Sequence, residues 1–243
     1  MVYVGVDGCR SGWFAAIDQH CNVTTRVYET FASLLGDLGH AERICIDIPI
    51  GLPSKENPVR FCDQQARAIL KRRRSSVFSP PCRAAANAGS VSKARELNIR
   101  ELGKSLSEQA WGICRKIAEV DFELRRHPHF ITTVVEVHPE LCFWALGKGQ
   151  PMRFTKGNRE GHIERIELLA KNDLVMRDVF ERERKKYKRT DVQDDDIVDA
   201  LVALATARMP TENLCRIPSG TQCDSLGLPM QMLHQRLDCP TPA

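Results

Sequence analysis

The opening of the chain alternates apolar and polar positions in short blocks separated by turn residues. "VYVGVDG" is a β-rich apolar run ended by Gly8, and "GWFAAID" and "VTTRVYET" follow at hairpin-like spacing around the polar turn "QHCN". That pattern predicts three strands in a meander. "FASLLGDLG" then takes up helical spacing with Gly39 as its stop signal. "RICIDIPIGLP" is almost continuously apolar, as expected of a strand buried on both faces. The predicted order is strand, strand, strand, helix, strand.

From "NPVRFCDQQARAILKRRR" the period changes to that of a helix, with Asn57 and Pro58 in the cap and first turn and Val59, Cys62, Ala66, Ile69 and Leu70 on one face. "SPPCRAAANAGS" reads as a loop. "SLSEQAWGICRKIAEVDFELRR" predicts a helix opened by a capping box of Ser105 and Glu108. "ITTVVEVHPELCF" predicts a β-branched strand, "IERIELLAKN" a surface helix, and "ERERKKYKR" a solvated link. "QDDDIVDALVALATAR" is an Ala-rich apolar helix with acids at its start, and the tail from Met209 reads as irregular apart from one last strand near "LPMQML".

Composition narrows the class. A chain of 243 residues, 42% hydrophobic and 27% charged, is long enough for one large α/β domain or two small ones. It opens without a basic, apolar leader, and no apolar run nears the roughly 18 residues that span a membrane, so a cytoplasmic protein is expected. The ten cysteines, Cys239 among them, are scattered with no CxxC pair, which predicts buried reduced thiols for most of them rather than disulfides or zinc. The net charge of +4 is uneven. Eleven Lys or Arg between Lys55 and Arg100 face Glu56, Asp63 and Glu96, so that stretch carries +8 and the remainder −4.

Candidate chemistry comes from where the acids fall. Asp7, Asp47 and Glu136 each stand at or near the carboxyl end of a predicted strand. Ligands of open α/β sheets bind at those ends, and uncompensated carboxylates there are costly unless a metal ion or bases pair with them. In the last helix Asp194 to Asp196 suit the positive end of the dipole, but Asp199 lies one turn further in, on one face with Asp195 and beside Asp196. Each acid also has a plain role available. Asp7 before Gly8 can begin a turn, Asp47 can cap a loop, and Glu136 can join His138 and Glu140 in a surface cluster. One shared site explains all of them together, and divalent cations held by carboxylates are what phosphodiester hydrolysis uses.

The basic stretch supplies complementary groups. In "LKRRRSSVFSPPCR", Arg72, Arg73, Arg74 and Arg83 with Ser75 and Ser76 offer donors suited to phosphate oxygens, although such a run at a helix end also serves as a solvated face. Arg60, Asp63 and Arg67 share a helical face and can pair with one another or extend the patch. Ser75 and Ser76 have no nearby His and Asp pattern, which disfavours a nucleophilic serine.

"VGVDGCRSGW", "IDIPIGLP", "RRRSSVFSPPCR", "LSEQ", "KIAEVD", "VEVHPEL" and "DDDIVDAL" together resemble the family called domain of unknown function 429, regarded as predicted nucleases of ribonuclease H fold. The match runs from about Val2 to Arg208, and "RRSSVF" with "EVHPE" is specific to it. The resemblance implies an α/β fold with a ribonuclease H-like mixed sheet: strands and helix in the order β-β-β-α-β, a helical insertion, a strand and a C-terminal helix. It makes Asp7 the acid of the first strand and places Asp47 at the end of the fourth. The "DDDIVDAL" helix is similar to the last helix of Holliday-junction resolvases, so Asp196 and Asp199 take the place of its metal-binding acid pair. Glu136 sits on a later strand than the simplest such pattern, leaving Asp47 and Glu136 as alternative middle ligands.

The expectation is therefore a single domain over residues 1–210 with a basic helical insertion at about 54–128 and an irregular tail over 211–243. Its expected activity is cleavage of DNA or RNA with Mg²⁺ or Mn²⁺, without a membrane partner; a homodimer is compatible with this. Two rivals accompany it: a non-catalytic nucleic-acid-binding or regulatory module of the same fold, and a phosphotransferase of the actin and sugar-kinase type. The second is disfavoured because the chain has one strand–acid–glycine opening and no second nucleotide-binding half.

Overall fold

The computed structural model of the chain describes residues 1–237; Cys239 and the last residues of the tail, both covered by the expectations above, lie outside them. β1 (Val2–Cys9), β2 (Gly12–Gln19) and β3 (Asn22–Tyr28) form the expected meander. His20 and Cys21, with φ of 55° and 63°, supply the left-handed pair that a two-residue hairpin turn requires. α1 (Phe31–Leu38) starts at Thr30, whose hydroxyl accepts the Ser33 amide, and ends at Gly39 before β4 (Arg43–Ile46). α2 (Phe61–Leu70) runs into a 3-10 turn over Lys71–Ser76 and is followed by α3 (Arg83–Ala86), α4 (Val91–Leu102) and α5 (Glu108–Arg126). Then come β5 (Val134–Glu136), α6 (Pro139–Leu146), α7 (Arg159–Asn172), α8 (Val175–Lys186), α9 (Asp194–Ala207), β6 (Leu214–Ile217) and β7 (Met232–Gln235).

The protein is thus α/β, with a mixed central sheet of order β3-β2-β1-β4-β5 in which β1 pairs antiparallel with β2 and parallel with β4, and β4 pairs parallel with β5. Alternation along the strands builds two cores. Val4, Val6, Ile44, Ile46 and Val134 face α1 and α5, whereas Cys45, Val135 and Val137 face α9. α9 lies directly on β1 because Gly5 has no side chain. A Cβ there would stand 2.1 Å from the Ala200 carbonyl oxygen and 2.1 Å from the Leu204 nitrogen.

Several local expectations give way to tertiary structure. The helix expected from Asn57 begins at Phe61, because Arg60 stays extended to reach buried partners. α5 is capped by Ser107, whose hydroxyl accepts the Ala110 amide, rather than by Ser105. The strand expected over "ITTVVEVHPELCF" stops at Glu136, since Pro139 offers no N–H to a ladder and instead opens α6. "ERERKK" is the charged end of α8, whose buried face, Met176, Val179, Phe180 and Glu183, begins upstream of it. α4 lies within the expected helical insertion, whereas α3 forms in a stretch that was expected to be a loop.

The tail carries two strands, β6 and β7, paired antiparallel. It is tied to the body by polar groups. Asp224 accepts the Leu52 amide at 3.1 Å and pairs with Arg83, while Gln222 accepts the Phe61 amide at 2.8 Å. Of the nine described cysteines, all unpaired, six are buried, which agrees with the reduced-thiol reading. No helix among the described residues is long and apolar enough to cross a membrane.

Candidate active site

Register decides which acids meet. Gly5 faces α9, so Asp7, two residues on, faces it as well. Two strand residues advance about 6–7 Å, and the four helical residues from Ala200 back to Asp196 span about 6 Å, so Asp7 comes level with the acidic end of α9. Val6 pairs with Ile46, and the Asp47 amide continues the ladder to the Val6 carbonyl at 3.0 Å. Asp47 therefore stands beside Asp7 on the same face. Asp196 and Asp199 complete the group from above.

The electrostatics bear this out. Burial, then the neighbouring charges of Asp47, Asp199 and Asp196, hold the Asp7 carboxyl well above the ordinary carboxylate range. Burial lifts Asp47 to about 6, with His138 opposing and Asp199 adding to it. Asp196 is also lifted to about 6 by burial, against the amide of Gln193 that its Oδ2 accepts at 2.8 Å in a capping box. Asp199 is 2% exposed, and its Oδ2 receives the ammonium of Lys156 at 2.8 Å. Lys156 sits on the loop before α7 and is held protonated first by Asp199. Asp195 flanks the group and is raised by burial, whereas Asp194 is engaged by Arg184 at 2.7 Å and Arg189 at 3.0 Å. On the other side, Lys116 of α5 passes over Gly8, donates to the Gly12 carbonyl and lies 4.6 Å from the Trp13 ring centre.

Glu136, expected as an alternative to Asp47 for the middle ligand, does not share the face of Asp7. It pairs in register with Ile46 and so points to the opposite face of the sheet. There its carboxylate is bound by Arg60 and accepts the Ile50 amide at 2.7 Å, and Arg60 also holds Asp63 at 2.7 Å. Cys62, Asp63 and Glu136 offer ligand atoms within 4.8 Å of one another, a clustering that Asp7, Asp47, Asp196 and Asp199 do not reach. The guanidinium of Arg60 bonds both carboxylates of that trio, so a base already fills the role a metal ion would take. The Asp7 group is wider and has one ammonium among its acids, as expected of like charges held apart by their own repulsion.

The basic turn reaches the same place. Arg73, Ser75 and Ser76 line a cavity of about 260 Å³ together with Asp47, Asp199 and Lys156. His138, at the start of α6, bonds the Ser76 carbonyl through Nε2 at 3.2 Å and lines the cavity as well. Arg72 and Arg73 latch the turn to the loop before α7 through the carbonyls of Pro151, at 3.3 Å, and Met152, at 3.1 Å; Arg74 is exposed. Arg83 is corrected as a phosphate contact, because its guanidinium is taken up by Asp121 and Asp224 and does not line the cavity. Arg60 and Asp63 pair with each other, and Arg67 bonds the Val77 carbonyl at 2.9 Å.

Lys156 went unnoticed in the sequence because it belongs to no periodic segment. Its one local signal is position: a cation followed by Gly157 directly before Asn158, the cap of α7. The buried pair of Arg165 with Glu140 was equally unreadable, since its members stand on different helices.

The family described as protein of unknown function (DUF429) matches residues 5–222 of this chain. No curated protein and no solved structure matches it.

Proposed function

The chain belongs to the DUF429 family, and on that premise we propose that it is a nuclease of ribonuclease H-like fold, hydrolysing phosphodiester bonds of nucleic acid with Mg²⁺ or Mn²⁺ held by Asp7, Asp47, Asp196 and Asp199. The observation that carries the reading is the under-compensated acid group: three of its carboxyls are pushed above their ordinary range, beside a cavity whose far wall is the Arg73–Ser76 turn. An all-oxygen donor set suits a hard divalent cation. When bound, such an ion supplies charge neutralisation at the scissile phosphate and activation of water.

The chain's own groups have distinct parts in this reading. Arg73 and Ser75 donate to phosphate oxygens and fix the strand. His138 directs Nε2 to the Ser76 carbonyl and so holds the basic turn against the cavity that Asp47 and Asp199 line. Lys156, exposed along its stem, is free to turn from Asp199 to a phosphate oxygen once the acids are otherwise neutralised. The mixed sheet with an acidic helix against β1 supports the fold assignment.

A second reading, a non-catalytic nucleic-acid-binding module, draws on one observation: Lys156 already pairs with Asp199. The two separate in one experiment, cleavage of labelled DNA and RNA oligonucleotides with Mn²⁺ by the wild-type protein and by Asp7→Asn. Metal-dependent cleavage that Asp7→Asn abolishes establishes the nuclease. Binding without cleavage of any substrate leaves the module.

A further inference from the structure

Two cavities share Lys156 and Gly157 as lining residues. The smaller, about 260 Å³, lies between Asp47 and Asp199 on one side and the basic turn on the other, with half-buried Phe78 and exposed Gln109 also in its wall. The larger, about 520 Å³, is edged by Arg159, His162 and Arg189.

Unpartnered polar atoms gather around this pair. Among the described residues, buried side-chain atoms without a hydrogen-bond partner include Arg73 Nη2, His138 Nδ1 and Glu140 Oε2 from the wall of the smaller cavity, and His162 Nε2 from that of the larger. A buried donor or acceptor left unpaired is costly and calls for an explanation. Both signs of hydrogen-bonding group are represented, so the missing partner carries donors and acceptors of its own.

Size and charge then select the ligand. At about 260 Å³ the smaller cavity lies just under the roughly 300–1,000 Å³ range of small-molecule pockets, a size suited to one unpaired base rather than to stacked base pairs. Phe78 offers a ring on which any base stacks. Cations flank the acids on both sides: Arg73 borders the smaller cavity, Arg159 the larger, and Arg189 remains 72% exposed despite its bond to Asp194. A polyanion lying along both cavities would find a cation on each side of the acids.

We propose that the ligand of this site is a single-stranded polynucleotide, one nucleotide of which seats in the smaller cavity against Phe78 while its neighbouring phosphates cross Lys156 into the larger cavity along Arg159 and Arg189. The inference rests on the nucleic-acid part of the reading above and is independent of cleavage.

The test is binding of a labelled twelve-nucleotide single strand, as DNA and as RNA, against the blunt duplex of the same sequence, with EDTA and again with Ca²⁺. The full-length protein is expected to bind at least one of the single strands about tenfold or more tighter than the duplex in either condition. Phe78→Leu, which keeps the apolar packing and removes the ring face, weakens single-strand binding about tenfold. Arg159→Ala lowers the salt slope by about one. Thermal unfolding confirms that both variants are folded. Equal affinity for strand and duplex, or single-strand binding unchanged in Phe78→Leu, overturns the inference even if the protein cleaves DNA or RNA. A strand preference that holds without any Mn²⁺-dependent cleavage sustains it and sinks the nuclease reading instead.

Discussion

Two groups of acids lie at the carboxyl ends of neighbouring strands, on opposite faces of one sheet, and they are balanced in opposite ways. Glu136 and Asp63 are buried, whereas Asp7, Asp47 and Asp196 are half-buried beside buried Asp199. Glu136 and Asp63 share the guanidinium of Arg60, which is 1% exposed, and Glu136 also accepts a backbone amide. Asp7, Asp47, Asp196 and Asp199 have one ammonium, that of Lys156, which is 49% exposed. In the first group both carboxylates have a planar, fixed partner in Arg60. Burial pushes Glu136 up to about 8 despite Arg60, so a raised carboxyl is common to both groups. The second differs in opening on a cavity and in having one half-exposed ammonium as its counter-charge. What singles out the Asp7 group is therefore not burial or a raised carboxyl but the missing counter-charge.

Breaking the first group has the largest expected effect. Arg60→Met leaves Glu136 and Asp63 buried without a base and is expected to cost about 3–5 kcal/mol of stability. Urea unfolding measures it, and a loss under about 1 kcal/mol would show that the pair is not the structural element described. The open group should respond the other way. Asp199→Asn relieves repulsion and leaves the apo protein as stable or slightly more so, yet cleavage falls on the order of a hundredfold or more and Mn²⁺ no longer raises the melting temperature. Glu136→Gln supplies the contrast, lowering stability while leaving the Mn²⁺ response in place. A lost metal response in Glu136→Gln together with a retained one in Asp47→Asn would reverse the assignment.

The pH dependence sharpens the same contrast at a smaller scale. Asp47 and Asp196 titrate near 6 in the folded protein and near the ordinary 3.8 when unfolded, so the folded state binds more protons between those values. Their contribution to stability is full below about pH 4 and is lost as pH rises through 6, by on the order of 2 kcal/mol per group. The difference in stability between Asp47→Asn and wild type, without metal, should therefore grow in favour of the variant from pH 4 to pH 7. A flat difference would mean that Asp47 is not held against its charge. Stabilisation by Mn²⁺ should run in the reverse sense, small at pH 5 and full at pH 7.5.

The smallest effect concerns the basic turn. Replacing both Arg73 and Arg74 with alanine should weaken binding of all nucleic-acid sequences about equally and lower the salt slope by about one for each contact removed. Arg83→Gln should leave that slope unchanged while lowering stability, since Arg83 bonds Asp121 and Asp224. A reduced slope in Arg83→Gln would return that residue to the phosphate-binding set.

Much of this was legible along the chain. The meander β1 to β3, the helix α1, the strand β4 and the helix α9 follow from local period and turn chemistry, and the acids Asp7 and Asp47 stood out because apolar strands rarely end in carboxylates. Asp199 stood out because it lies past the turn in which a helix dipole rewards an acid. The failures share one cause. Arg83 looked like a member of a basic patch because its acidic partners, Asp121 and Asp224, lie 38 and 141 residues away, and for Arg60 the pairing with Asp63 was foreseen but that with Glu136, 76 residues away, was not. Lys156 went unnoticed because its partner is 43 residues away.

By itself, then, the sequence determined which residues alternate with which: Gly5 with Asp7 on one side of β1, Val4 with Val6 on the other, and Asp196 with Asp199 along α9. Only the tertiary structure decided that Asp47 shares the face of Asp7 and that Glu136 does not. The pairing of Val6 with Ile46 and of Ile46 with Glu136 settles it. A strand repeats every two residues, so a shift of one position exchanges its two faces, and that shift is fixed by the packing of neighbouring strands rather than by anything written within them.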